Sequence, residues 1–151
     1  MKFAIGCDHA GFEFKERVKK ILTGLGHEVL DVGANSTDSV DYPDFAFKVA
    51  EAVAQGEVNR GVLVCWTGNG MNIAANKMPG VRAGMALNPE MAYLTRLHND
   101  ANVLTLAQKY TPEEHLEAIL DQFTNTVFEG GRHERRVNKI LAAEESLVTD
   151  S

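Results

Sequence analysis

Three short polar stretches of this sequence carry most of the residues that could do chemistry. Cys7-Asp8-His9 follows an apolar run at the start of the chain, and Cys65 closes a second apolar run just before Thr67-Gly68-Asn69-Gly70. His98-Asn99-Asp100 closes a helix-length amphipathic stretch. A thiol or an imidazole beside hydrogen-bonding neighbours is suited to proton transfer, and a glycine turn is suited to holding an anion. Together these residue types point to acid–base chemistry beside a stabilised oxyanion.

The turn Thr67-Gly68-Asn69-Gly70 stands where a predicted strand passes into a helix. Its two glycines allow backbone N–H groups to turn inward at the helix N-terminus, where the partial positive charge favours an anion. The turn matches neither GxxxxGK[ST] nor GxGxxG, so a nucleotide-binding loop is not indicated. A plain strand-to-helix turn explains these residues about as well as the functional interpretation, an oxyanion hole for a developing enediolate.

Cys65 stands at the end of its apolar run and faces this turn. A thiol at a helix N-terminus can have a lowered pKa, which predicts that Cys65 is a usable base or nucleophile. A cysteine in an apolar strand is otherwise a small buried hydrophobe, and Cys7 fits that description.

Arg132 and Arg136 lie four residues apart just after Gly130-Gly131, so they share one face of the last predicted helix. Two guanidinium groups can bind a phosphate between them. The alternative is a solvated basic face with glutamates nearby. Arginine in a first helical turn opposes the helix dipole, and a bound anion would relieve that conflict, so the pair predicts a phosphate site.

The composition narrows the class of protein. The 151 residues carry a net charge of -6, from 15 basic and 21 acidic side chains, which disfavours a nucleic-acid partner. No run approaches the roughly 20 apolar residues of a membrane span, and the N-terminus lacks the pattern of a signal peptide. The two cysteines form neither a disulfide framework nor a CxxC pair, and there is no HExxH motif. We therefore expect a cytoplasmic protein with free thiols and no metal.

Short apolar runs alternate with amphipathic stretches, which is the pattern of a parallel α/β sheet. We predict a three-layer α/β/α sandwich around a five-stranded parallel, Rossmann-like sheet. A single domain is expected over residues 1–146, with 147–151 as a frayed C-terminal tail. The predicted strands are 2–6, 27–32, 61–66, 81–87 and 102–107. The predicted helices are 11–25, 43–54, a short one ending near Lys77, 89–97, one from the N-cap Thr111 to about 128, and 132–145.

In open α/β sheets, ligands bind beyond the carboxyl ends of the strands. We therefore predict that all three polar stretches converge on this one edge of the sheet.

The assembled residues resemble the type B ribose-5-phosphate isomerases and the related galactose-6-phosphate isomerase subunits. The resemblance extends from residue 1 to about residue 145. The matching segments are Gly6-Cys7-Asp8-His9-Ala10-Gly11, Asp41-Tyr42-Pro43, Cys65 with Thr67-Gly68 and Gly70, Ile73-Ala74-Ala75-Asn76-Lys77, His98-Asn99-Asp100 with Asn102-Val103-Leu104, and Glu129-Gly130-Gly131-Arg132-His133 with Arg136-Val137.

The resemblance implies an aldose–ketose isomerase that acts on a sugar phosphate, above all ribose 5-phosphate, without a metal or organic cofactor. Cys65 would move the proton between C2 and C1 through a cis-enediolate, and His98 would open the furanose ring with Thr67 close by. The other implied substrate contacts are Gly68, Asn69 and Gly70 at the enediolate oxygen, Asn99 at the sugar, Asp8 and Tyr42 lining the site, and His9, Lys109, Arg132 and Arg136 at the phosphate. The resemblance also implies a homodimer or a dimer of dimers with shared active sites. The absence of a nucleic-acid or membrane partner is expected from the composition alone.

Two residues depart from the family pattern. Trp66 stands where glycine usually follows the cysteine, and Lys109 stands where an arginine often holds phosphate, which a lysine cannot bind bidentately. The sugar therefore stays open, with another tetrose, pentose or hexose phosphate as the alternative. A non-catalytic phosphosugar-binding protein would need the arginines but no proton shuttle, and a thiol hydrolase would leave the phosphate ligands unexplained.

Overall fold

The structure is a computed structural model that describes residues 1–149 of the chain. Within that part, no helix is both long and apolar enough to cross a lipid bilayer. The strands are β1 (Lys2–Cys7), β2 (Glu28–Asp31), β3 (Arg60–Cys65), β4 (Ala83–Met85) and β5 (Val103–Ala107). The helices are α1 (Phe12–Gly24), α2 (Tyr42–Ala54), α3 (Asn69–Ala75), α4 (Pro89–Asn99), α5 (Glu113–Asn125) and α6 (Arg132–Thr149).

The strands form one parallel sheet in the order β2-β1-β3-β5-β4, which confirms the predicted fold. The chain passes from β1 outward to β2 and then returns to β3 on the other side of β1, so the direction of winding switches between β1 and β3. Cys7 is the register partner of Val64, so β1 and β3 end at nearly the same level. The loops that follow these two strands therefore flank the crevice in which open α/β sheets bind ligands.

Helices cover both faces of the sheet because successive strand residues point to opposite sides. On one face, α1, α4 and α5 pack against strand residues such as Ile5 and Val62. On the other face, α2 and α3 pack against residues such as Leu63. Cys7 belongs to the first core and Cys65 to the second, so the two thiols lie on opposite sides of the sheet.

The boundaries of α5 differ from the sequence prediction. Pro112 has an extended backbone (φ -59°, ψ 136°), so the helix begins at Glu113 and Thr111 is one residue too early to cap it. The helix ends at Asn125, short of the predicted end, because Thr126 is extended (ψ 121°).

β4 and α6 also differ from the sequence prediction, whereas the remaining elements differ from it by only one or two residues at their ends. β4 pairs with β5 alone, and this edge strand covers only Ala83–Met85 of the predicted 81–87. α6 continues to Thr149 instead of ending near residue 145, because no glycine or proline interrupts it. Residues 147–149 of the expected frayed tail are therefore helical, and 150–151 lie outside the described residues.

A buried ion pair joins α1 to the end of β2. Lys15 is completely buried, and its Nζ donates to both carboxylate oxygens of Asp31 and to the Ala34 carbonyl, each at 2.8 Å. Burial by itself would raise the pKa of Asp31, but hydrogen bonds from Lys15, the Gly33 N–H and Lys19 outweigh burial and lower that pKa. The folded-state pKa thus lies below the unfolded one. The pair therefore stabilises the fold above the ordinary carboxyl pKa, and this contribution is lost as the pH falls through the folded-state pKa.

We expect Lys15→Met to lower the free energy of unfolding by about 3 kcal/mol, because it leaves the largely buried Asp31 without its main partner. Lys19→Met is the matched control. The Lys19 side chain is 41% exposed and contacts the same carboxylate at 3.1 Å, so its removal should cost about 1 kcal/mol or less. Urea unfolding at neutral pH measures both changes. Equal losses in the two variants would contradict the dominant role of Lys15.

Candidate active site

The loops after β1 and β3 are tied together at the crevice. The Asp8 N–H donates to the Val64 carbonyl at 3.3 Å, and the Asp8 carboxylate accepts the Gly11 N–H at 2.9 Å. A side-chain carbon at Gly11 would come within 2.7 Å of the Val64 carbonyl, so only glycine allows this close approach. Asp8 is therefore held at the edge of the sheet, next to the end of β3.

Cys65 ends β3 with its sulfur among the first N–H groups of the following turn. The Gly68 N–H donates to Sγ at 3.1 Å. Gly68 is the N-cap residue of α3 and has a left-handed backbone (φ 82°), which favours glycine. Thr67 lies between the thiol and this glycine, and Asn69 and Gly70 begin α3. The structure thus brings the thiol and the predicted oxyanion turn together.

Burial raises the pKa of the Cys65 thiol, and hydrogen bonds from backbone groups of the following turn only partly offset it. The sequence pattern predicted that the Cys65 pKa is lowered, and this prediction is wrong for a single chain, in which the pKa is raised. The helix start does favour the thiolate, but desolvation outweighs it, and the negative charge of Asp8 also opposes it. Burial raises the pKa of Cys7 to about 11, which keeps this residue a protonated, buried side chain.

Tyr42 and His9 lie on the β1 side of the crevice. The Tyr42 ring packs so closely on Gly70 that a side chain there would overlap it. The Val40 N–H donates to His9 Nδ1 at 3.2 Å, so a neutral His9 ring carries its proton on Nε2. An open depression of about 510 Å³ is lined by Asp8, His9 and residues 40–44. Its size suits a small ligand.

Lys109 lies in the turn after β5, next to the end of β3. Its N–H donates to the Trp66 carbonyl at 3.0 Å. Its Nζ lies 6.0 Å from the centre of the Trp66 ring and 5.4 Å from that of Tyr110, within the range of cation–π attraction. Trp66 is 49% exposed, so the ring that departs from the family pattern lies at the surface and not in the core.

The site residues predicted from the sequence form two clusters at opposite edges of the sheet. The carboxyl-edge cluster consists of Asp8, His9, Tyr42, Cys65, Thr67, Gly68, Asn69, Gly70 and Lys109. The amino-edge cluster consists of His98, Asn99, Arg132 and Arg136. The predicted convergence of all three polar stretches on one edge is therefore wrong for a single chain.

The direction of α4 explains this separation. The helix leaves the carboxyl end of β4 and must return to the amino end of the parallel strand β5, so His98 and Asn99 in its last turn lie at the amino edge. The two edges are well apart, since β5 rises about 13 Å from Val103 to Ala107. Ala107 is the register partner of Cys65.

The start of α6 lies at the same amino edge. The Glu129 N–H donates to the Leu97 carbonyl at 3.0 Å, which ties the segment before α6 to the last turn of α4. Farther along α6, the Glu144 carboxylate accepts the Gly80 N–H at 3.1 Å, just before β4. The two arginines predicted to bind phosphate therefore lie near His98.

Two residues that received no role from the sequence pattern, Glu129 and His133, lie against His98. The rings of His98 and His133 stack with their centres 4.2 Å apart and their planes 12° apart. Glu129 Oε2 lies 3.4 Å from Nε2 of His133 and 3.9 Å from Nε2 of His98. The i, i+4 spacing of Glu129 and His133 around a glycine pair is the signal that could have found them.

His98, Glu129 and His133 also have the donor types of a zinc site, and their ligand atoms lie within 4.8 Å of one another. The pKa of His133 is lowered by burial and then by the positive charges of His98, Arg132 and Arg136, which Glu129 only partly offsets. The same positive field opposes a bound divalent cation. The cluster thus combines three side chains that can bind a proton or a metal ion with two nearby arginines that favour an anion.

The fold and the carboxyl-edge cluster define a parallel α/β protein with a thiol beside a glycine turn at the end of a central strand. The family model described as Ribose/Galactose Isomerase matches residues 3–140. The chain belongs to this family.

Individual relatives agree with the family match. Ribose-5-phosphate isomerase B of Escherichia coli is 45% identical over 144 residues, which cover 95% of this chain and 97% of that protein. The solved structure of ribose-5-phosphate isomerase B from Clostridium thermocellum has a TM-score of 0.95 at 46% identity, covering 97% of this chain and 99% of that one. The Mycoplasma genitalium enzyme, solved with bound ribulose 5-phosphate, has a TM-score of 0.92 at 39% identity, covering 95% and 96%. These similarities confirm the family resemblance seen in the sequence.

Proposed function

We propose that this chain interconverts ribose 5-phosphate and ribulose 5-phosphate by moving a proton between C2 and C1. Its family membership and the names of its relatives support this reaction. The observation that carries the proposal is the Cys65 thiol, which accepts the Gly68 N–H at 3.1 Å at the end of a central strand. A base and an oxyanion-binding turn are adjacent there, and this proton transfer needs both.

In the proposed reaction, the Cys65 thiolate removes the proton from C2 of the open-chain aldose. The electrons of the C2–H bond form a C1–C2 double bond, and O1 becomes an anion that the N–H groups of residues 68–70 hold. The thiol then gives its proton to C1, and the proton of the C2 hydroxyl passes to O1, which completes the ketose. Because burial raises the pKa of Cys65, additional positive charge in the assembled site would favour the thiolate.

His98 opens the sugar ring before this step. A protonated His98 donates to the ring oxygen as the bond from that oxygen to C1 breaks, and the C1 hydroxyl releases its proton to water and becomes the aldehyde. Thr67 lies close to the reacting end of the sugar, Asn99 contacts the sugar, and Asp8 and Tyr42 line the pocket. The His98 side chain is 38% exposed, which supports a role in contact with substrate.

The phosphate is held by cationic and N–H donors from both clusters. His9 presents Nε2–H and Lys109 an ammonium at the carboxyl edge, whereas Arg132 and Arg136 extend from the start of α6 at the amino edge. Charge-assisted hydrogen bonds of this kind are about twice as strong as neutral ones. They would hold the far end of the sugar while C1 and C2 react beside Cys65.

The proposed site needs a second subunit. Cys65 and His98 lie at opposite edges of one chain, although the reaction uses both on neighbouring atoms. A twofold homodimer can set the carboxyl-edge cluster of each chain against the amino-edge cluster of the other, forming two equal sites. We therefore propose a homodimer, alone or as half of a dimer of dimers.

The proposed chemistry consists of proton transfers, so we assign it no metal and no organic cofactor. We also place the enzyme in the cytoplasm, since Cys7 and Cys65 are free thiols of the kind that reducing compartments maintain.

In a second candidate function, the reaction is the same aldose–ketose isomerisation but the substrate is a different sugar phosphate. Trp66 is a large exposed ring directly after Cys65, and it lies 6.0 Å from the ammonium of Lys109, one of the proposed phosphate ligands. This arrangement supports a pocket of altered length, and hence another tetrose, pentose or hexose phosphate as substrate.

NMR detection of aldose–ketose interconversion tests both candidates on a panel of tetrose, pentose and hexose phosphates. We expect ribose 5-phosphate to give the highest kcat/KM, and the Trp66→Gly variant to keep this preference. Turnover confined to another sugar, with a changed preference in Trp66→Gly, would favour the second candidate. If no sugar phosphate is converted but one binds, the chain is a phosphosugar-binding protein and the enzymatic proposal is wrong.

A further inference from the structure

Glu129 and His133 both contact the His98 side chain, and the steps of the proposed reaction assign neither of them a role. The His133 ring stacks on the His98 ring at 4.2 Å, and its side chain is only 10% exposed. The more exposed His98 ring therefore rests on a buried ring of the same shape. Such stacking restricts the rotation of His98 about its side-chain bonds.

One carboxylate oxygen faces both rings. Glu129 Oε2 lies 3.4 Å from Nε2 of His133 and 3.9 Å from Nε2 of His98. Burial lowers the pKa of the stacked His133 ring, and positive charge on His98 lowers it further, because two imidazolium ions at this separation repel each other. To a smaller extent, the positive charges of Arg132 and Arg136 also lower the pKa of His133. The Glu129 carboxylate lies 3.9 Å from Nε2 of His98, close enough to attract positive charge on that ring.

The backbone holds this arrangement in place. The Glu129 N–H donates to the Leu97 carbonyl, directly before His98, at 3.0 Å, and the His133 N–H donates to the Gly130 carbonyl at 3.1 Å. Backbone hydrogen bonds therefore tie the segment that carries Glu129 and His133 to the last turn of α4, although the two segments are about 30 residues apart in the chain.

We propose that Glu129 and His133 are positioning residues for ring opening: His133 fixes the plane of His98, and Glu129 stabilises the protonated ring that donates to the sugar's ring oxygen. The inference rests on the proposed function, because it assigns these residues to the ring-opening step of that reaction. Neither residue takes part in the later proton transfer between C2 and C1, which belongs to Cys65 at the other cluster.

The two steps can be measured separately because ribulose 5-phosphate has no free C5 hydroxyl with which to close a furanose ring. Exchange of its C1 hydrogen with deuterium from the solvent therefore reports the proton transfer alone. Turnover of ribose 5-phosphate requires ring opening as well. We expect Glu129→Gln and His133→Ala to lower kcat for ribose 5-phosphate about tenfold or more, while the exchange rate stays within about twofold of wild type.

Two further variants serve as controls. His133→Phe keeps a stacking surface and should retain more ribose 5-phosphate turnover than His133→Ala. Glu134→Gln removes a carboxylate from an exposed position in the first turn of α6 and should leave turnover unchanged. The Glu129 side chain is 54% exposed, so Glu129→Gln tests the charge without disturbing a core.

Parallel loss of turnover and exchange in Glu129→Gln and His133→Ala would overturn the inference, since it would indicate a general structural defect. Unchanged turnover in both variants would overturn it as well. If the wild-type enzyme shows neither turnover of ribose 5-phosphate nor exchange with ribulose 5-phosphate, the proposed function is wrong, and the inference about Glu129 and His133 is then wrong as well.

Discussion

The Cys65→Ala variant is expected to lose isomerase activity by a factor on the order of 10²–10⁴ or more, the usual contribution of a positioned proton-transfer group. Alanine removes the sulfur that carries the proton but leaves the Gly68 N–H and the rest of the turn in place. The phosphate ligands lie elsewhere, so the substrate should still bind. NMR turnover of ribose 5-phosphate and calorimetric binding of the same sugar measure the two quantities.

Cys7→Ala is the matched control for this experiment. It removes the other buried thiol, which lies on the opposite side of the sheet and stays protonated because burial raises its pKa to about 11. Its kcat should remain within about twofold of wild type, since a buried cysteine of this kind acts as a small hydrophobe. Substantial turnover in Cys65→Ala would exclude the thiol as the base. Simultaneous loss of binding would indicate that Cys65 has a structural role.

Two inactive variants, Cys65→Ala and His98→Ala, are expected to regain about a quarter of wild-type activity when their subunits are dissociated and reassociated together. In a mixed dimer, one site receives Cys65 from the His98→Ala chain and His98 from the Cys65→Ala chain, so it is complete. The other site lacks both groups. Half of the dimers formed at random are mixed, and each has one working site of two. Turnover per subunit before and after reassociation measures the gain.

The control mixes wild-type chains with the double variant Cys65→Ala/His98→Ala. If sites are shared between subunits, every mixed dimer is inactive, and activity should fall by about half relative to the unmixed solutions. If each site lay within one chain, exchange of subunits would leave activity unchanged. That result, or no gain when the single variants are mixed, would contradict the shared site.

Local patterns in the sequence were enough to predict the sheet, its parallel direction and the carboxyl-edge cluster. The apolar run before Cys65 is long enough and continuous enough to be a strand buried on both faces, and β3 covers Arg60–Cys65. The glycine after Thr67 signalled a strand-to-helix turn, and Gly68 has the left-handed backbone that such a turn requires. These features depend on residues within one segment, so the sequence of that segment contains the information.

The ends of helices were less predictable, because they depend on contacts outside the segment itself. Thr111 before Pro112 has the composition of a helix cap, but the backbone at Pro112 is extended and the helix starts one residue later. Composition gives the residue types available for a cap, whereas the angle at which the chain enters the helix depends on what the loop packs against.

The sequence by itself determined the family, the succession of strands and helices along the chain, and the position of the Cys65 thiol next to a glycine turn. Only the tertiary structure decided that His98 lies at the edge opposite Cys65, that Glu129 and His133 surround it, and that burial raises the pKa of the thiol. Each of these depends on contacts between segments far apart in the chain: the return direction of α4, the packing of α6 on it, and the apolar core around β3. A sequence pattern describes one segment at a time, and the free energy of a charge or a contact depends on all the segments that surround it.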